Sequence, residues 1–219
     1  MNQKTPLWAP SKGQFIVLEG GEGVGKSTQM QAIAHFLHAQ SIPHILTREP
    51  GGTPLAEQLR TVIVGEDMDA IEEILLILAA RRHHVRTVIA PALKAGLWVL
   101  CDRFSDSSLV YQGIAGGMDL DLIQQWHVSV GCDLTPDQTF ILQIDPEVAL
   151  ARRTTNRLES NKFDQKDIDF HHTIHDAYVQ ISQRDPQRYI CISAEGSLEK
   201  VTAMILKHVQ DLITQNSRP

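Results

Sequence analysis

Apolar residues along this chain follow two alternating spacings. Phe15-Ile16-Val17-Leu18 and Trp98-Val99-Leu100-Cys101 are short runs without a polar break, the pattern of strands buried on both faces. Thr139 to Ile144 and Tyr189 to Ser193 read the same way, and His44 to Thr47 is a shorter strand. Between the runs the spacing lengthens to three and four. Met30, Ile33, Ala34 and Leu37 fall on one face of a helix predicted from Ser27 to Gln40. Further helices are predicted over Pro54 to Val64, Ala70 to Ala95 with a bend near Pro91, Ser107 to Gly116, Asp119 to Val130, from Pro146 to Arg153, Ile168 to Gln183 and Leu198 to Thr214. Strands alternating with helices predict an α/β fold: a parallel five-stranded sheet with helices on both faces and ligand loops at the carboxyl ends of the strands. A single domain is expected over 13–214, with a flexible tail at 1–12 and a short C-terminal tail at 215–219.

Composition narrows the partners. The 219 residues carry a net charge of −6, so no basic stripe is available for a nucleic-acid polymer. No apolar stretch is long enough to span a bilayer, and none at the start resembles a signal peptide. Cys101, Cys132 and Cys191 are odd in number and far apart, which indicates neither a disulfide framework nor zinc spacing. They read as buried thiols of a cytoplasmic protein.

The chemistry begins at Gly20 to Ser27, a complete G-x-x-x-x-G-K-S loop between a strand and a helix. Such a loop turns backbone amides toward phosphate oxygens, its lysine reaches the β- and γ-phosphates, and its hydroxyl ligates Mg²⁺. The expected ATP-binding segment is therefore Gly20, Gly21, Glu22, Gly23, Val24, Gly25, Lys26, Ser27 and Thr28, in the three-layer fold of phosphate-loop nucleoside triphosphate hydrolases. Three more clusters each follow a predicted strand. Arg48-Glu49-Pro50-Gly51-Gly52-Thr53 reads either as a turn with a solvated ion pair or as part of a ligand loop. In Asp102-Arg103-Phe104, the carboxylate at a strand end suits Mg²⁺ and the arginine suits a phosphate. Arg152, Arg153 and Arg157 introduce a polar segment, about 152–166, that reads as a lid bringing positive charge to a transferring phosphoryl group.

Together these residues resemble the thymidylate kinase family of nucleoside monophosphate kinases, particularly its bacterial members, over about Gly13 to Ile213. The most specific pieces are the phosphate loop with Glu22, the run from Thr47 to Thr53, and the run from Asp102 to Gly113. The resemblance implies ATP- and Mg²⁺-dependent conversion of dTMP to dTDP by a cytoplasmic homodimer. By position it assigns Glu22 to the sugar 3′-hydroxyl, Arg48 and Arg103 to the acceptor 5′-phosphate, and Arg81 to thymine. It further assigns Ser108 and Gln112 to the base pocket, Tyr111 to the sugar, and Ser193 to Gly196 to the adenine of ATP. Two positions depart from the family pattern. Ile77 stands where an aromatic residue usually stacks on the base, and Asn161-Lys162-Phe163-Asp164 stands where Asp-Arg-x-Glu is common.

The implied acceptor atom is an ionised phosphate oxygen, so no general base is required. The expected catalytic residues are accordingly cations: Lys26, Arg103, Arg153 and Arg157, with Ser27 and Asp102 for the metal. Arg153 and Arg157, more than Lys162, are the expected lid cations. The pairs His83-His84 and His171-His172 are expected in solvated or helix-packing roles. A different small-molecule kinase of the same architecture is the near alternative. The N-K-x-D pattern at residues 161–164 raises a guanine-binding switch, but that motif belongs at the end of an apolar strand.

Overall fold

Every residue of the first strand is buried, and its four apolar side chains divide by parity between two cores. In the computed structural model, which describes residues 13–156, 162, 163 and 165–216, β1 spans Phe15–Glu19. Ile16 and Leu18 pack with residues of helix α1 (Lys26–Ala39) and helix α9 (Leu198–Asn216), while Phe15 and Val17 face Val85, Ile89 and Leu93 on the other side. Apolar side chains on both faces of one strand oblige helices to cover both faces.

The remaining strands are β2 (His44–Arg48), β3 (Trp98–Asp102), β4 (Gln138–Gln143) and β5 (Tyr189–Ser193). All pair in parallel, in the order β2-β3-β1-β4-β5. The chain leaves β1 toward β2, returns to β3, and crosses to β4 on the opposite side. β1 is thus the point where strand order reverses, and a crevice opens at its carboxyl end. Register fixes what meets there, since Leu18 pairs with Asp102 and Arg48 with the same residue from the far side. Cys101 and Cys132 are buried as expected, whereas Cys191 is exposed because β5 is an edge strand.

Local signals set most helix starts. Thr53 caps α2 (Pro54–Gly65) by accepting from the Ala56 amide, with Pro54 in the first turn, where its missing N–H costs nothing. Asp69 and Glu72 form a reciprocal capping box on α3 (Ala70–His84). The helix predicted to run from Ala70 to Ala95 is interrupted earlier than expected. α3 stops at His84, Val85–Ile89 forms a π-helical turn, and α4 (Ala90–Lys94) resumes. Pro91 offers no N–H to the Thr87 carbonyl and its ring crowds that oxygen, so the ladder lengthens before it, with the Ala90 amide bonding to the Val85 carbonyl. The helix expected at Ser107 begins at Ser105 as α5 (Ser105–Ser108) and continues as a second π segment, Leu109–Ala115. α6 (Leu120–Ser129), α7 (Pro146–Asn156) and α8 (Ile168–Ser182) follow. α9 continues to Asn216, so residues 215 and 216 are helical rather than tail.

Candidate active site

Gly20 to Thr28 leaves β1, turns back and opens α1. Gly20, Gly23 and Gly25 have φ of 136°, 75° and 97°, values at which a β-carbon is strained, so the turn depends on glycine. Lys26 lies under this loop and donates to the carbonyls of Gly20 at 3.0 Å and Gly21 at 2.7 Å. Burial, followed by the nearby Arg103 charge, lowers its pKa below the ordinary lysine value. The Ser27 hydroxyl meets Asp102 Oδ2 at 3.3 Å. A hydroxyl beside a carboxylate, both oxygen donors, fits Mg²⁺ better than a softer metal.

A second centre forms across the loop. Arg103 has φ of 67°, uncommon for a non-glycine residue, and is held there by its amide donating to the Leu18 carbonyl. Its guanidinium bonds Glu22 Oε1 at 2.7 Å and Tyr178 Oη at 3.1 Å, and lies over the Tyr111 ring. Beneath it Glu19, fully buried, accepts from the Phe104 amide, the Ser107 amide and hydroxyl, and Tyr178 Oη. Burial and neighbouring Asp106 raise the Glu19 pKa, while Arg103 and these donors oppose the rise.

Two cavities meet at this point. One is lined by Gly23, Gly25, Lys26, Ser27, Thr28, Arg48 and Asp102. The other is lined by Ile63, Ile77, Arg81, Ser108, Tyr111, Gln112 and Phe163. Glu22, Glu49, Arg60 and Arg103 line both. The expected phosphate-loop residues and the expected base-pocket residues are therefore adjacent, with cations at the junction.

Arg81 is held more tightly than its expected role alone requires. Its Nε donates to Glu49 Oε2 at 2.5 Å, its Nη1 faces Ser108 Oγ and His127 Nε2, and its Nη2 donates to the Phe104 carbonyl. Four of its five N–H groups are thereby used, leaving one for a ligand. Glu49 also meets buried His84, which reaches Thr47 through its other nitrogen. Burial would raise the Glu49 pKa, but Arg81 and His84 outweigh it and hold it below the ordinary carboxylate value. His127 donates through Nδ1 to the Ile123 carbonyl, which leaves the Nε2 lone pair for Arg81. Burial, then the Arg81 charge, lowers its pKa to about 4.

Several expectations are qualified by position. Arg48 lines the phosphate-loop cavity yet pairs with Glu57 at 2.8 Å. Arg152 donates to the Ala194 carbonyl at 3.0 Å, beside the expected adenine loop. Arg157, Asn161 and Asp164 lie outside the described residues, as does the Arg153 side chain. Lys162 and Phe163 lie in a turn against α2 and α3, and the last described element before them is helix α7 rather than an apolar strand, so the guanine-switch context is missing among the described residues. Of the paired histidines, His84 and His171 are buried while His172 is partly exposed and bonds Glu147. Residue 60 was not singled out from sequence, although Arg60, Ile63 and Val64 share one helical face and all line the second cavity. Glu73 was likewise missed, despite standing on one stripe with Ile77 and Arg81.

A sequence profile of the family described as Thymidylate kinase matches residues 18–205. A thymidylate kinase of Magnetococcus marinus is 44% identical over 202 residues, covering 91% of this chain and 96% of the relative. One of Symbiobacterium thermophilum is 41% identical, covering 93% and 96%. The crystal structure of thymidylate kinase from Ehrlichia chaffeensis superposes with a TM-score of 0.73 at 32% identity, covering 90% of this chain and 98% of that one.

Proposed function

The chain belongs to the thymidylate kinase family, and from that premise we propose that it moves the γ-phosphoryl group of ATP to the 5′-phosphate of dTMP, giving ADP and dTDP. The carrying observation is the shared wall of the two cavities. Arg60 and Arg103 face both, so an acceptor phosphate in one lies at the phosphate end of a nucleotide in the other.

An acceptor phosphate oxygen attacks the γ-phosphorus as the bond to the β,γ-bridging oxygen breaks, and ADP leaves. Both reactants are anions, so the protein's tasks are neutralisation and alignment. Arg103 and Arg60 hold the acceptor phosphate against its repulsion from the triphosphate. Lys26 exchanges its contacts with the loop carbonyls for phosphate oxygens. Ser27 and Asp102 would hold Mg²⁺, which would supply positive charge to neutralise the triphosphate. Glu22, bonded to Arg103 and Tyr111, is assigned to accept from the sugar hydroxyl. Arg81 keeps one N–H for a base carbonyl, and Ile77 covers the ring face by burial rather than aromatic stacking. Arg153 and Arg157 are assigned to the transferring group on sequence grounds.

The domain runs from residue 13 into α9. A homodimer is supported by exposed Leu55 and Val62 on α2 and exposed Ile71 and Leu75 on α3, which packs against it. Cytoplasmic placement is supported by the free cysteines. Among the described residues no helix is long and apolar enough to cross a membrane. Coupled ADP release against a panel of nucleoside monophosphates tests the reading. dTMP should stimulate ADP formation far above every other acceptor, and its failure to do so overturns the proposal.

A further inference from the structure

Glu73 is a buried carboxylate on the stripe of α3 that carries Ile77 and Arg81. Its Oε2 accepts from Gln112 Nε2 at 2.8 Å, and its Oε1 accepts from Lys162 Nζ at 2.6 Å. Lys162 also donates from Nζ to the Glu66 carbonyl at 2.7 Å and from its amide to the Val64 carbonyl at 3.4 Å. One residue thus caps the carboxyl end of α2, where a cation is favoured, and ties it to α3. These two helices supply Arg60, Ile63, Ile77 and Arg81 to the acceptor cavity. The next residue, Phe163, lines the same cavity, edge-on to Tyr111 with ring centroids 5.5 Å apart.

An ionised carboxylate only accepts hydrogen bonds, so the group Gln112 turns toward Glu73 is necessarily its NH₂. The amide oxygen is left for the cavity. Arg81, bonded to Ser108 four residues before Gln112, lines the same cavity and has one N–H left for a ligand. A donor beside an acceptor complements a pyrimidine edge with a carbonyl beside a ring N–H, as in thymine. Cytosine presents the reverse, an amino donor beside a ring nitrogen lone pair.

We propose that Glu73 and Lys162 are positioning residues for the acceptor base: Glu73 fixes the direction of the Gln112 amide, and Lys162 locks Glu73 while bringing Phe163 over the acceptor. This part of the lid segment therefore serves the acceptor rather than ATP, and it supplies an aromatic wall to a pocket that has Ile77 where a stacking ring would stand. The inference rests on the thymidylate kinase reading.

Steady-state kinetics with dTMP and dCMP separate the two. Glu73→Gln keeps shape but can donate as well as accept, so the Gln112 amide is free to turn. The ratio of kcat/KM for dTMP to that for dCMP should fall by about tenfold or more, the scale of one hydrogen bond turned from attractive to repulsive. Lys162→Met should raise KM for dTMP by about tenfold with little change in KM for ATP, and Lys162→Arg should restore it. Lys162 is partly exposed, so its variants report even if Glu73→Gln fails to fold. An unchanged dTMP/dCMP ratio in folded Glu73→Gln, or KM for ATP rising together with KM for dTMP in Lys162→Met, overturns the inference while wild-type dTMP turnover leaves the function standing. Absence of wild-type turnover with dTMP overturns both.

Discussion

Lys26 concentrates the electrostatics of the phosphate loop in a single residue. Its ammonium is buried, depressed in pKa by that burial and by Arg103, and bonded only to carbonyls of its own loop among the described residues. Such a group gains most when a phosphate replaces those carbonyls. Lys26→Met should lower turnover by about 10²-fold or more, the usual loss for one preorganised electrostatic contact, with the melting temperature little changed. Near-native turnover in the folded variant would exclude Lys26 from the reaction. His127 makes a different prediction, about stability. Its pKa is lowered from 6.5 to about 4, so folding favours the neutral ring. That stabilisation is complete above the unfolded value and is lost as pH falls from about 6.5 through about 4, reaching on the order of 3 kcal/mol if the whole shift is expressed. His127→Gln keeps an acceptor for Arg81 without a proton to gain. Denaturant melts between pH 7 and pH 4 should therefore show a shallower loss of stability in the variant than in the wild type, and identical slopes would rule out His127 as the titrating group.

At the level of elements, the loop between β2 and α2 depends on contacts that local sequence conveys only in part. Pro50, Gly51 and Gly52 announce a turn, but the partner that fixes it comes from α3. Gly52 has φ of 79°, and a β-carbon there would lie 2.4 Å from His84 Nε2 and 2.5 Å from Thr47 Oγ1. Those atoms belong to the chain of contacts running from Thr47 through His84 and Glu49 to Arg81. Gly52→Ala should destabilise the protein by about 1–3 kcal/mol through backbone strain and overpacking, and displacement of His84 should weaken dTMP binding with it. Urea melts and dTMP titration check the two effects, and an unchanged melt would show that the loop relaxes away from α3. The bend in the helix after Ala70 was legible in Pro91. Its placement at Val85–Ile89 was not, because the disturbance falls on the turn whose carbonyl the proline cannot serve.

Across the molecule, the exposed apolar residues of α2 and α3 lie on the helices that also wall the acceptor cavity. Association through them would brace that wall. The wild type should sediment as a dimer, and Leu75→Asp, which places a charge among exposed apolar side chains, should shift it toward monomer and raise KM for dTMP. A monomeric wild type under assay conditions would remove the homodimer.

The sequence by itself determined the α/β class, the five strands, the phosphate loop and the family, because these rest on short-range regularities: unbroken apolar strands, helical spacing, and glycines required within a few residues of one another. It also placed Lys26, Ser27, Asp102 and Arg103, since each follows a strand whose end must open onto the same crevice. Tertiary structure alone decided which distant side chains come together around that crevice. Arg60 lines the same cavities as Arg103, Glu73 meets Gln112 and Lys162, and Glu49 meets Arg81 only because strand order β2-β3-β1 and the packing of α2 on α3 bring distant positions together. Helical periodicity names the face a residue occupies, but the element opposite that face is set by how the sheet and its helices close around one another.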